Sequence, residues 1–142
     1  MKLGRLRTIR GTIEVVGGVG KTNLVVADGL INVGLKVQRF HLWPDNIGAL
    51  SFIGILALDA LPGGVLMDAG DNRQIGWTFG KNTSIISPQR TILDPDHIVN
   101  RDLFLRMEGT TDGTYNYMIE CQVVGLTDDE AIITIIKETS QS

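Results

Sequence analysis

Seventeen glycines in 142 residues, spread along the chain and not gathered into one linker, constrain this sequence more than any other feature. Glycine inside a helix costs about 0.5–1 kcal/mol relative to alanine, so a chain punctuated this often does not sustain long helices. Many short strands with frequent turns fit it better. Apolar residues make up 43% and charged residues 20%, an ordinary globular balance and too apolar for a disordered chain. A chain of this length buries roughly 70% of the surface it exposes when unfolded, which predicts one domain over residues 1–142 that needs no disulfide or metal. The net charge of −3 excludes a strongly basic nucleic-acid reader and leaves room for a local basic segment. The single cysteine, Cys121, rules out a disulfide framework or a cysteine zinc site within one chain; it reads as a small apolar filler.

The pattern along the chain predicts eight or so strands. Residues 5–16 read as one bent strand or a strand pair, with Ile9, Ile13, Val15 and Val16 apolar and Gly11 as a kink or bulge. Gly17-Gly18 ends it. Residues 23–27 lead to a turn at Asp28-Gly29, and strand-like pieces come next at 30–35 and 36–43, closed by Trp43-Pro44-Asp45-Asn46. Residues 49–58 are apolar with almost no alternation, which predicts a strand covered on both faces, by the core on one side and by a neighbouring subunit on the other. Turns are expected at residues 61–64, 68–72 and 80–82, with a short apolar piece at 65–67 and strands at 74–79 and 84–86. Pro88 and Pro95 bracket residues 90–93.

A hairpin is expected over residues 102–124. Leu103, Leu105 and Met107 share one face of its first strand, and Tyr115, Tyr117, Ile119, Cys121 and Val123 share one face of its second. Thr127-Asp128-Asp129-Glu130 is a capping box. Ile132, Ile135 and Ile136 recur behind it at helical spacing, and Lys137 suits the C-terminal end of the dipole, predicting a short helix over about 128–138.

One string invites a nucleotide reading. Val16-Gly17-Gly18-Val19-Gly20-Lys21-Thr22 places a glycine turn and Lys-Thr after a strand, and Gly18, Gly20, Lys21 and Thr22 would be its phosphate and magnesium contacts. Over about seven residues it is similar to the variant phosphate loop of the partition and septum-positioning ATPases. It departs from that pattern at Val16, where the signature lysine belongs, and from the standard loop at Val15, where a glycine belongs. The sequel also fails to read as a helix, because a turn signal at Asp28-Gly29 comes too soon. The ordinary expectation is a tight polar hairpin loop.

The other constellations are weaker. His41 and His97 have no histidine or cysteine at ligand spacing. Asp94-Pro95-Asp96 and residues 68–71 offer carboxylates that suit calcium, yet aspartate beside proline or glycine is ordinary turn chemistry. No Gly-x-Ser-x-Gly nucleophile motif occurs, and no carboxylate pair stands out for glycoside hydrolysis. These readings predict no catalytic residues, no metal and no cofactor. Trp43, Trp77, Tyr115 and Tyr117 are candidates for a sugar-binding platform, with aromatic core positions as the alternative. Lys2, Arg5, Arg7 and Arg10 place four cations and no anion in the first ten residues, a candidate nucleic-acid contact, with solvated strand charges as the alternative. Phe52, Ile53, Ile55 and Leu56 are the candidate subunit interface. No run reaches the 18 or more apolar residues of a membrane-spanning helix, and the first residues lack the apolar stretch of a secretory signal.

Asp94-Pro95-Asp96-His97-Ile98-Val99, the run from Arg101 to Leu105, Asn116-Tyr117-Met118-Ile119-Glu120 and Asp129-Glu130-Ala131-Ile132 together resemble small β-rich structural proteins of environmental viruses and phages. The resemblance covers less than half of the chain. It implies a virion shell subunit made in the host cytoplasm, a single jelly roll that packs against copies of itself and against other virion proteins. The expectation is thus an all-β, single-domain antiparallel β-sandwich of jelly-roll type with a short C-terminal helix, serving as a non-enzymatic structural protein.

Overall fold

Alternating apolar and polar residues leave each strand of this chain one face that must be hidden from water, and two sheets closing on each other hide it. The computed structural model describes residues 2–24, 33–45, 51–61, 67–81, 90–95, 97–99, 101–127, 129, 130 and 133. Its strands are β1 (Lys2–Val15), β2 (Val19–Leu24), β3 (Val33–Pro44), β4 (Ser51–Ala57), β5 (Gln74–Lys81), β6 (Arg90–Leu93), β7 (Leu103–Gly109) and β8 (Gly113–Gly125). All pairings are antiparallel. They build a three-stranded sheet in the order β1-β8-β3 and a five-stranded sheet in the order β2-β7-β4-β5-β6.

One core joins the two sheets. Ile13, Val15, Leu35, Val37, Phe40, Leu42, Tyr115, Ile119 and Cys121 come from the three-stranded sheet, and Leu24, Leu56, Ile75, Leu103, Leu105 and Met107 from the five-stranded one. Phe52 meets Tyr115 edge-on across it, with ring centroids 5.7 Å apart. The apolar positions of β3 change phase along the strand, from Leu35 and Val37 to Phe40 and Leu42. A bulge between Val37 and Arg39 inserts the extra residue that keeps all four facing inward.

Residues 102–124 do not form the expected hairpin. Their alternation holds, but β7 pairs with β2 and β4, while β8 pairs with β1 and β3. The chain crosses from one sheet to the other between them, so their apolar faces meet across the core. Period-two alternation states which residues face inward and is silent on whether two such strands lie side by side or opposite one another. Gly11 is likewise not a kink. It lies in register with Tyr117, and a Cβ there would stand 2.6 Å from the Tyr117 hydroxyl, so the glycine makes room for that ring. The irregularity of β1 falls between Leu3 and Leu6 instead.

A second crossing lies beside the first. β1 turns into β2 through Gly17 and Gly18, with φ of 66° and 84°, the sign a two-residue hairpin turn of type I′ demands at both positions. Val16 and Val19 exchange backbone hydrogen bonds across it. Beyond this bridge the partners separate, and β1 passes so close to β2 that a Cβ on Gly20 would lie 2.6 Å from the Glu14 carbonyl oxygen. Asp112, in the β7–β8 crossing, accepts the Gly17 and Gly18 amides through its two carboxylate oxygens at 2.9 Å each. The two sheet crossings are thereby tied together.

Other expectations divide cleanly. The strand closing at Trp43-Pro44 and the short strand before Pro95 are present. In the capping box the Glu130 amide donates to Thr127 Oγ1 at 3.2 Å, and the Thr127 amide to Glu130 Oε1 at 3.0 Å. The body of the expected helix, with Ile132, Ile135, Ile136 and Lys137, lies outside the described residues. So do the Asp28-Gly29 turn, the turn at 62–64, most of the apolar piece at 65–67, and the strand at 84–86.

Candidate functional site

The glycine-rich loop is the first place to look for chemistry, because amides of consecutive residues turned one way form a concave anion site. That site exists at Gly17-Gly18 and its occupant is internal. The Asp112 carboxylate sits on both amides, and these hydrogen bonds hold it below the usual carboxylate range. The loop leads into strand β2, where a phosphate loop requires a helix. Gly20 points to the inner face against Ile13 and Glu14, while Lys21 is exposed on the outer face in register with Arg106. Gly18, Gly20, Lys21 and Thr22 therefore do not converge on one phosphate, and the nucleotide-loop reading gives way to the tight hairpin turn.

The four aromatic candidates do not converge either. Tyr115 is buried between the sheets and Tyr117 packs against the same core. Trp43 lies outward on β3 and Trp77 outward on β5, so the two indoles occupy opposite sides of the sandwich. No single sugar platform contains them both. Turn chemistry accounts for residues 68–71. Asp68 Oδ1 accepts from the Gly70 amide at 2.8 Å, and Asp71 takes a two-pronged contact from the Arg73 guanidinium at 2.9 and 2.7 Å. That guanidinium holds the Asp71 carboxyl below its ordinary range. Among the described residues no cluster of three or more histidine, cysteine, aspartate or glutamate side chains is placed to hold a metal. Cys121 is fully buried, and burial pushes its thiol up to about 11, the behaviour of a filler and not of a nucleophile.

Two outward faces remain. On the five-stranded sheet one row runs Lys21, Arg106, Ile55, Trp77, Ile92, and the next runs Val19, Glu108, Ile53, Phe79, Arg90. The chain itself covers the middle of this face. Ile55 and Ala57 are buried there with Leu61 and Trp77 packed on them, so the neighbouring subunit expected over Ile55 is not what hides it. Leu56 faces the opposite way, into the core. Of the four candidate interface residues, Ile53 is outward and half-buried, and Phe52 is half-buried against the core. Ile53, Phe79 and Met67 line a shallow hollow of about 500 Å³, and Ile92 beyond it is 56% exposed. Arg106 lies beneath this face with 4% of its side chain accessible, 3.0 Å from Glu108. Arg106, Lys21, Leu61 and Phe104 line a smaller hollow of about 220 Å³.

On the three-stranded sheet the outward rows are polar: Thr8, Glu120, Arg39; then Arg10, Met118, His41; then Thr12, Asn116, Trp43. Arg39 and His41 flank Glu120 at 3.7 and 3.6 Å. The N-terminal cations divide between faces. Arg10 belongs to this outward surface and Arg5 is exposed at the irregular start of β1, whereas Arg7 is in register with buried Cys121 and half-buried. The cluster of cations in β1 stands out in the sequence, and Arg39 and His41 do not. A signal for them exists all the same, because Phe40 and Leu42 alternate with Arg39, His41 and Trp43, and an inward Phe40 sends the other three outward.

No protein-family model, curated protein or solved structure matches this chain.

Proposed function

We propose that this protein is a non-enzymatic, self-assembling structural protein, a shell subunit of a virus particle, and that its sandwich is of the jelly-roll type. The strand order supports the second half of that reading. A jelly roll results when one long antiparallel hairpin, with strand 1 against 8, 2 against 7, 3 against 6 and 4 against 5, is rolled into two sheets. Pairs β1–β8, β2–β7 and β4–β5 occur here, and β6 approaches β3 although it hydrogen-bonds to β5. Such domains serve in capsids, lectins and cupins.

Self-assembly rests on one observation, the apolar band that the five-stranded sheet turns outward. Ile53, Phe79 and Met67 line a hollow there, and Ile92 is exposed beyond it on the four-residue edge strand β6. A second copy of the chain is the occupant we assign to it. Sedimentation velocity and electron microscopy of the purified protein test the reading: discrete oligomers or closed shells are expected, and Ile92→Asp shifts them toward the monomer. Protein that stays monomeric at high concentration across salt and pH refutes it.

A further inference from the structure

The acidic chain carries a basic sheet. Its described aspartates at 45, 59, 68, 71, 94, 102, 112 and 129 all fall outside the strands, where aspartate side chains satisfy turn amides. The strands hold most of the described cations. Among the described side chains the outward side of the three-stranded sheet carries Arg10, Lys36 and Arg39, with Arg5 exposed at the start of β1, against Glu14 and Glu120, while Arg7 is in register with buried Cys121. A net charge of −3 thus conceals a face with a modest excess of cations.

That face also presents an aromatic ring. Trp43 is 40% exposed, although an indole gains by burial and most tryptophans are largely covered. Along β3 it comes after Arg39 and His41 at every second residue, so the outward side chains from Arg39 to Trp43 span roughly 13 Å. Arg10 stands two strands away in the row of His41, with the adaptable Met118 between them, and Lys36 continues the line beyond Arg39. Thr8, Thr12, Asn116 and Gln122 fill the intervening positions with neutral donors and acceptors. Glu120 lies 3.7 Å from Arg39 and 3.6 Å from His41, so the arginine partly offsets the negative charge at the centre of the face.

We propose that the outward face of the β1-β8-β3 sheet is a binding platform for single-stranded nucleic acid, with Trp43 stacking on a base and Arg39, Arg10 and Lys36 meeting the phosphates. An open sheet with an exposed indole suits unpaired bases, whose faces are free to stack, whereas duplex base edges lie inside grooves. The platform is complete in one copy, so it stands or falls independently of self-assembly.

Fluorescence anisotropy of a labelled 20-nucleotide oligothymidylate, titrated with the full chain, tests this. Its assembly state is monitored by sedimentation in the same buffers, so that loss of binding and loss of assembly are told apart. Three phosphate contacts on a single strand predict that affinity falls about eighteen-fold between 50 and 200 mM salt. Trp43→Ala weakens binding about five-fold or more, Arg39→Glu and Arg10→Glu each weaken it and flatten the salt dependence, and Glu120→Gln strengthens it. Lys21→Glu, on the opposite side of the sandwich, matches the charge change and leaves binding unaltered. A duplex of the same length binds more weakly and is indifferent to Trp43→Ala. The proposal is overturned if the wild-type chain does not bind at 50 mM salt, if Trp43→Ala and Arg39→Glu bind as tightly as wild type, or if Lys21→Glu costs as much as they do.

Discussion

Replacing Gly20 with alanine separates the two readings of the glycine-rich segment. In this fold Gly20 sits where β1 parts from β2 and passes over it toward the three-stranded sheet, and the added Cβ would meet the Glu14 carbonyl oxygen at 2.6 Å and Ile13 Cγ1 at 3.2 Å. The first neighbour is backbone, held by the pairing of Glu14 with Thr114, so relief requires moving a strand and not turning a side chain. Overpacking of this kind costs about 1–3 kcal/mol, which lowers Tm by roughly 3–12 °C for a domain of this length. Lys21→Ala removes an exposed side chain and stays within about 0.5 kcal/mol of wild type. Thermal unfolding monitored by circular dichroism, at one fixed protein concentration because assembly shifts apparent stability, measures both. If Gly20→Ala melts within a degree of wild type, β1 does not cross β2 there. If Lys21→Ala abolishes magnesium-dependent nucleotide binding, the hairpin interpretation of this loop fails with it.

The same geometry sets three further outcomes. Asp112 has its folded pKa depressed by the Gly17 and Gly18 amides, so its stabilisation is present above the unfolded value near 3.8 and is lost as pH falls through the folded value. The Tm gap between wild type and Asp112→Asn is therefore fully open at pH 7 and narrows as pH falls below about 4; a gap that widens as the pH falls contradicts the assignment. Cys121, with its thiol near 11 and no exposure, resists Ellman's reagent at pH 8 until denaturant is added, and immediate stoichiometric labelling of the native protein would show that the core is misassigned. Leu56→Ala empties a fully buried site between the sheets and costs about 2–5 kcal/mol, whereas Leu6→Ala, at a position 73% exposed, changes urea-unfolding stability by no more than about 0.5 kcal/mol. Equal effects at the two positions would contradict the inward and outward assignments.

The charge layout links fold to function. Aspartate is favoured in turns because its carboxylate accepts nearby amides, as Asp68 and Asp71 do. Arginine and lysine stems lie along an outward strand face while their heads reach water. These two local preferences together segregate sign in part: the described aspartates lie in the connections and most of the described cations in the strands. Net charge averages over that separation, which is why −3 says little about what any one face attracts.

Strand identity is written locally. Alternation assigns the inward sets of β7 and β8, the proline at Pro44 stops β3, the near-continuous apolar run of β4 announces cover on both sides, and Thr127 with Glu130 specifies their reciprocal cap. Each depends on neighbours within a few residues, where backbone period and turn chemistry act. What lies over the second face of β4 is not legible, since Leu61 and Trp77 reach Ile55 only after β4 and β5 have paired. The same holds for the choice between a side-by-side hairpin and strands in facing sheets for β7 and β8, and for the fate of the Gly17-Gly18 anion site, filled from 94 residues or more away by Asp112. Those outcomes belong to the tertiary structure because they are decided by which surfaces exclude water together, a property of the closed sandwich that no stretch of chain possesses alone.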